Sequence, residues 1–366
     1  MFLMTSYHNF YNNMAVLILG GTGAIGSFLV DILNLNGEEV FVTTRRNITD
    51  KNNIKYIQGN AHDIDFLSRI CSRKWDTIID FMSYKTEEFS ERIVFLLKST
   101  KHYIYISSAR VYSDKEHPIK ETTLRLLDVT NDKEYFNTDE YALTKARQED
   151  ILKRQSNKNY TIVRPYITYG EKRFQLGVLE KEEWLYRALQ GRTIVFPKDL
   201  LDKSTTMTSG YDVAHFIYKL IGNPNVKGEI FHVTNGLSVT WKEIINIYKK
   251  IIEKEIGKKI KIQFVSNDSF LKCRYADLKY QLIYDRLYNR VFDTRNEERI
   301  IDITKFVTIE SGLETCLKTF LRAPKYNHIN WIYEAKKDRL TNEITSLPEI
   351  GGIRNKIKYL IYRYIK

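Results

Sequence analysis

The chain of 366 residues is 43% hydrophobic and 28% charged, and 57 basic against 45 acidic side chains leave a formal charge of +12. With 6 Pro and 17 Gly beside 25 Tyr and 18 Phe, it is neither disordered nor collagenous nor of low complexity, and its length suits two domains or one large α/β unit. The scattered Cys71, Cys273 and Cys316 argue against a disulfide framework or zinc cluster and for a reducing cytoplasm, and no apolar run reaches the roughly 18 residues of a membrane span.

Residues 1–13 are polar and aromatic without period and read as a poorly structured extension lacking the form of a signal peptide, with Met14 as an alternative start. The apolar run AVLIL (15–19) leads into GGTGAIG and then SFLVDILNLNG, which has helical spacing: strand, glycine turn, helix. Strands follow at 39–43, 54–57, 75–81 and 102–108, with a helical stretch near 87–97. A helix over 141–155 and a strand over 161–167 come next, then helices over 178–191 and 212–222, a strand within 228–236 and an amphipathic helix over 241–257 closed by Gly257. Strands alternating with helices imply right-handed crossovers and a Rossmann-type doubly wound parallel sheet.

In GGTGAIG, Gly20, Gly23 and Gly26 fall between strand and helix. The first permits the turn, the second the approach of a pyrophosphate, and the third close helix–strand packing, while the helix N-terminus favours phosphate. At the end of the second strand, where a carboxylate would select a ribose 2′-hydroxyl, stand Thr44, Arg45 and Arg46. Guanidinium groups suit a 2′-phosphate, so NADP is preferred over NAD, the alternative being two solvated arginines.

Tyr141 and Lys145 lie four residues apart on one face of a predicted helix, where an ammonium favours the phenolate and lets it exchange protons with a hydroxyl or carbonyl. Ser108, at the C-terminal end of a predicted strand, can hydrogen-bond the same oxygen. His62 and His102 read as structural or solvated, and no cluster has metal-ligand spacing, so no metal is expected.

The combination of GGTGAIG, Asp63 in GNAHD, IDFMSYK, SSARVY, YALTK, VRPYITYG and GYDVA resembles the extended short-chain dehydrogenase/reductase family of nucleotide-sugar epimerases, dehydratases and reductases, over residues 15 to about 320. The resemblance implies a Rossmann domain over 14–170, rejoined by 205–235, and a smaller C-terminal α/β substrate domain from 171–204 and 236–320. It implies that Tyr141, Lys145 and Ser108 are catalytic. It also implies that Gly20, Gly23, Ala24, Ile25, Gly26, Thr44, Arg45, Arg46, Asp63, Phe81, Met82, Lys85, Tyr141, Lys145 and Pro165 bind the dinucleotide, Asp63 at the adenine and Lys85 near the phosphates. The activity implied is hydride transfer on a nucleotide-activated sugar for a surface polysaccharide or glycoside, by a cytoplasmic homodimer that binds no nucleic acid. Two departures qualify it. Ala109 and Arg110 replace the Asp-Glu pair of water-eliminating members, which leaves epimerisation or keto-sugar reduction, and Tyr166, Ile167 and Thr168 replace a phosphate-contacting asparagine segment, with Arg173, Lys198 and Lys203 as other sources of positive charge. The alternatives are a non-catalytic RNA-binding or scaffolding protein of the same fold, or a reductase of a non-sugar ketone.

Residues 321–366 extend beyond the resemblance. Segment 322–366 has ten Lys or Arg and four Asp or Glu, net +6, and ends in a predicted helix over 353–366 with Ile353, Ile357, Leu360, Ile361 and Tyr364 as its apolar stripe. The stripe is expected to dock on the chain's own domain or a second subunit, the alternative being peripheral contact with the inner face of a membrane.

Overall fold

The structure, a computed structural model, describes residues 14–274 and 277–366. The extension expected over 1–13 lies outside the described residues. Two compact units form, one from the segment ending at Ile106 with Gln148–Val163 and Ala214–Ile230, the other from Ser107–Arg147, Arg164–Val213 and Phe231–Lys366.

The strands are β1 (Ala15–Leu19), β2 (Glu39–Thr44), β3 (Ile54–Gln58), β4 (Trp75–Asp80), β5 (Thr100–Ile106), β6 (Tyr160–Pro165) and β7 (Ile230–Val233), in the spatial order β7-β6-β5-β4-β1-β2-β3. Pairings from β3 through β6 are parallel. The strand order reverses between β1 and β4, so the carboxyl ends of these two strands frame the crevice in which such sheets hold ligands. The first unit also holds α1 (Gly26–Leu35), α2 (Ile64–Ile70) and α3 (Thr86–Lys98). Leu17, Leu19, Ile78 and Tyr103 of the sheet pack with Leu67, Phe89, Ile93 and Leu96 of the helices, and this burial on both faces explains why the strands read as continuous apolar runs.

In the second unit, α4 (Tyr141–Arg154) begins and α5 (Leu185–Leu189) follows. The helix expected over 178–191 shrinks to α5: Gly177, at φ +61°, turns the chain so that Gln175–Leu176 pairs antiparallel with Leu179–Glu180. Helix α6 (Gly210–Leu220) starts here, and α7 (Trp241–Ile256) buries Trp241, Ile244, Tyr248, Ile251 and Ile252 against Leu313 and Leu317 of α8 (Ile309–Arg322). Thr240 and Glu243 form its capping box, and Gly257 ends it in the left-handed conformation, as the sequence predicts.

The C-terminal extension forms α9 (Trp331–Thr341) and α10 (Ile353–Tyr364). Buried Arg187 of α5 donates to Glu334 and Asp338, both at 2.8 Å, and to Glu343 at 3.0 Å, while Arg192 meets Glu349 at 2.7 Å. Tyr359 fastens α10: its hydroxyl donates to Asp338 and accepts from the Thr345 N–H, both at 2.7 Å. Docking therefore uses a tyrosine hydroxyl, and the expected apolar stripe is not the docked face. Of its five residues Ile353, Ile357, Leu360 and Tyr364 are exposed and Ile361 is half-buried, because the buried carboxylate of Asp338 needs the donor that Tyr359 carries.

At the first turn of α6, burial raises the Asp212 carboxyl from 3.8 to about 6 against the lowering effect of its bond from the Val307 N–H at 3.0 Å. The folded state thus holds the proton more tightly, and the stability this group contributes is present below its unfolded pKa and lost as pH rises through about 6. Asp212→Asn, which keeps an acceptor for Val307 but no charge, is expected to gain roughly 1–3 kcal/mol near pH 7 and little near pH 4. Urea unfolding at the two pH values measures this, and equal effects at both would contradict the assignment.

Candidate active site

The glycine turn follows β1 directly. Gly20 has φ +75°, donates its N–H to Thr43 Oγ1 at 3.2 Å, and would place a Cβ 2.9 Å from Met82 Sδ. A Cβ on Gly26 would lie 2.7 Å from the Gly21 backbone, so α1 can rise beside the turn only with glycine there. Gly23 has no atom within 4 Å of a Cβ position. The capping position of α1 is Ile25, after Ala24, and its side chain cannot accept from the first-turn N–H groups. A turn with open space at Gly23 and a helix start without a side-chain acceptor fits a dinucleotide pyrophosphate.

Around this cradle, Thr44 is buried and its Oγ1 accepts from the Arg46 N–H at 3.1 Å. Arg45 and Arg46 are exposed, and neither meets a carboxylate among the described residues. Phe81 donates its N–H to the Leu19 carbonyl at 3.0 Å and Met82 to Asp80 Oδ1 at 2.9 Å, which ties the ends of β1 and β4 together. Asp63 caps α2 through Oδ1, accepting from Asp65 and Phe66 at 2.9 and 3.2 Å. Lys85 is exposed at the start of α3. His102 is buried against Thr161 Oγ1 at 2.8 Å with its pKa pushed down to about 4 by burial, and His62 pairs with Glu88 at 3.3 Å.

The second unit brings Ser108, Tyr141 and Lys145 together. Ser108 lies two residues beyond β5, and its Oγ accepts from the Arg110 N–H at 3.2 Å, which leaves its own O–H for the Tyr141 hydroxyl, to which it is hydrogen-bonded. Tyr141 opens α4, where the helix N-terminus favours negative charge, and Glu140 caps that end by accepting from the Ala142 N–H at 2.7 Å. The buried Lys145 ammonium lies 5.9 Å from the Tyr141 ring centroid and the Arg110 guanidinium 5.2 Å from it. Although 38% of Tyr141 is exposed, burial around its phenol holds its pKa above the ordinary value. Arg110 and Arg173, then the Ser108 bond, pull it back, while Glu140 pushes it up. The depression that the Tyr-Lys spacing leads one to expect is thus outweighed by burial, and Arg110 is the leading charge opposing it.

The sequence reading did not single out the group behind Arg110. Arg110 meets Glu140 and lies 3.6 Å from Asp285, whose carboxylate also meets Arg286 and, at 3.0 Å, Arg290. Asp285 and Arg286 sit on a π-helical turn, Leu282–Arg286, a form with no sequence signature. Burial brings the Arg286 guanidinium down to about 10, with Arg110 and Arg173 adding repulsion. The segment after Pro165, where the family asparagine is missing, enters this group: the Tyr166 hydroxyl accepts from Arg286 at 3.3 Å, and Ile167 is held at φ +27°, a strained conformation for a β-branched residue. Arg173 pairs with Glu180 at 2.9 Å, Lys198 is exposed and Lys203 half-buried.

The sequence model of the NAD dependent epimerase/dehydratase family matches residues 16–234. The chain belongs to this family. Within the curated proteins it is 28% identical over 244 residues to the chloroplast stem-loop binding protein of 41 kDa b of Arabidopsis thaliana, covering 62% of this chain and 60% of that protein. It is 30% identical over 135 residues to a UDP-glucose 4-epimerase of Streptococcus mutans, covering 30% of this chain and 40% of that enzyme. The matches thus span less than two thirds of either relative's length. Among solved structures, MoeE5 in complex with UDP-glucose and NAD shares the fold, with a TM-score of 0.66 at 16% identity over 85% of this chain and 100% of that one. The epimerase/dehydratase fold accounts for the parallel sheet and the glycine turn; the tail from 321 onward lies past the matched residues.

Replacing Arg110 by Met removes the leading positive influence on Tyr141. The Tyr141 titration, identified as the tyrosine resonance missing from Tyr141→Phe, is expected to move further up, and less so in Arg110→Lys. An unchanged titration in Arg110→Met would show that the guanidinium does not act on the phenol.

Proposed function

We propose that the protein is an NAD(P)-dependent enzyme that epimerises, or reduces the ketone of, a nucleotide-activated sugar. The observation that carries this reading is the Tyr141 phenol, joined to Ser108 and facing the Lys145 and Arg110 cations at the first turn of α4. The Tyr141 oxygen would take the proton of a sugar hydroxyl or return it to a ketone, while Ser108 holds the same substrate oxygen. Lys145, Arg110 and the helix N-terminus stabilise the phenolate that forms. A bound nicotinamide would accept or supply the hydride. Gly20, Gly23 and Gly26 would cradle its pyrophosphate, with Ala24 and Ile25 at the helix start, and Asp63, Phe81, Met82, Lys85 and Pro165 are the further contacts proposed.

Ala109 and Arg110, where an acid pair would serve water elimination, favour epimerisation or reduction over dehydration, and Arg110 is itself engaged by Glu140 and Asp285. The same arginine group favours a phosphorylated substrate. Arg110, Arg286 and Arg290 share Asp285, and a nearby diphosphate would relieve their repulsion. For the cofactor, the exposed Arg45 and Arg46, which meet no carboxylate among the described residues, and the lack of an acid at the end of β2 favour NADP.

A second reading is favoured by the similarity to the chloroplast stem-loop binding protein over 62% of this chain: an RNA-binding member of the family. Here the basic surplus would contact phosphates, and Tyr141 would have no catalytic role. The mass and absorbance of whatever co-purifies separates the two, since a retained dinucleotide supports the enzyme.

With a panel of nucleotide sugars, Tyr141→Phe is expected to lose about 100-fold or more in turnover with binding largely kept. Full activity in the variant would remove Tyr141 from the reaction, and salt-sensitive stem-loop RNA binding without any turnover would establish the second reading. The double substitution Arg45→Ala with Arg46→Ala is expected to weaken NADPH binding about tenfold or more and NADH little, as read by fluorescence titration; equal losses would leave the choice of NADP without support.

A further inference from the structure

Helix α10 carries apolar surface on two sides: facing the protein, Tyr359 packs with Trp331, Ala335 and Ile350 and hydrogen-bonds through its hydroxyl, while a separate aliphatic stripe faces outward. At ~100° per residue, Ile353, Ile357, Leu360 and Tyr364 fall within an arc of ~60°, with Tyr359 on the opposite side. Tyr359 is fully buried and engaged with Asp338 and Thr345, and Arg363 reaches the Glu343 carbonyl at 3.0 Å. Ile353 is 76% and Ile357 52% exposed, and Leu360 and Tyr364 are exposed as well. Arg354 borders the stripe on one side with the exposed Lys358 beyond it, and Lys356 and Arg363 border it on the other.

Charge placement sharpens the point. Of the four carboxylates of segment 322–366, Asp338, Glu343 and Glu349 meet Arg187 and Arg192, which lie outside it, and Glu334 meets Arg187 and the buried Lys337 of the segment itself. The net charge of the segment is +6, and among the described residues Arg354, Lys356 and Lys358 of α10 meet no carboxylate. A groove between α9 and α10 lined by Lys272, Lys336, Arg339 and Lys366 adds to the positive field.

We propose that α10 lies in the surface of an anionic phospholipid bilayer, with Ile353, Ile357, Leu360 and Tyr364 at the boundary of headgroups and acyl chains and the flanking Arg and Lys on lipid phosphates. Twelve residues cannot cross a bilayer, which takes about 20, but they suit a helix lying in its plane. A second copy of the chain is the poorer occupant, since stripe-to-stripe pairing would bring Arg354, Lys356, Lys358 and Arg363 of two copies together with no acid to meet them. The docked face is already occupied, so the stripe stays outward without unfolding. This inference is independent of which reaction the active site performs.

The test uses the full chain and co-sedimentation with vesicles of phosphatidylcholine alone or with about one third phosphatidylglycerol. Binding is expected only to the anionic vesicles and to fall with added salt. Ile357→Glu with Leu360→Glu is expected to weaken it at least about tenfold at an unchanged melting temperature, and Lys358→Glu to weaken it severalfold. The proposal is overturned if the double variant sediments like the wild type, if phosphatidylcholine alone binds equally well, or if the wild type ignores vesicles and forms a dimer that the double variant splits.

Discussion

One buried carboxylate organises the second unit. Asp285 is 1% exposed and faces three guanidinium groups, those of Arg110, Arg286 and Arg290, in surroundings where charges are felt strongly. Each arginine uses its other N–H groups to fix a different stretch of chain. Arg290 reaches the Tyr112 carbonyl, Arg286 the Gly177 carbonyl and the Tyr166 hydroxyl, and Arg110 packs on the Tyr141 ring and meets Glu140. Segments that are far apart in sequence are thus held to one another through Asp285, and the phenol of Tyr141 inherits its electrostatic setting from them.

The second unit holds another buried charge group with the opposite balance. Around Arg187 and Lys337 stand Glu334, Asp338 and Glu343, and burial brings the Lys337 ammonium down to about 8 even with Glu334 beside it. Breaking such a group by removing one partner strands a charge, typically at a cost of about 3–5 kcal/mol, so both are strong constraints on local geometry. One sets the electrostatic surroundings of the Tyr141 phenol, and the other decides which side of the last helix faces out.

These two groups mark the limit of what the sequence discloses. The glycine turn and the helices were legible because their signals are local: α7 ends at Gly257 because only a left-handed cap stops that run, and Tyr141 and Lys145 are set by the helical repeat itself. Ser108 beside Tyr141 was legible only by analogy, through motif order. Asp285 was invisible, since its partner Arg110 is more than a hundred residues away and a π-turn leaves no periodic trace. The stretch 178–191 misled because its apolar content is that of a helix, while the turn at Gly177 decides its path. In the tail the helix was readable but its orientation was not. Apolar spacing alone points Ile357 and Leu360 inward, whereas the hydrogen-bond demand of Asp338 rotates Tyr359 there instead.

The open space at Gly23 separates two requirements that the glycine motif superposes. Gly20 needs its positive φ, and Gly21 and Gly26 would collide with Ile18 and with the turn itself, so the chain alone demands glycine at these three positions. At Gly23 neither backbone conformation nor any neighbour makes that demand. A side chain there would be tolerated by the folded protein and felt only by a molecule seated in the loop. Three glycines of the turn answer to the fold, and the fourth would matter only to a guest.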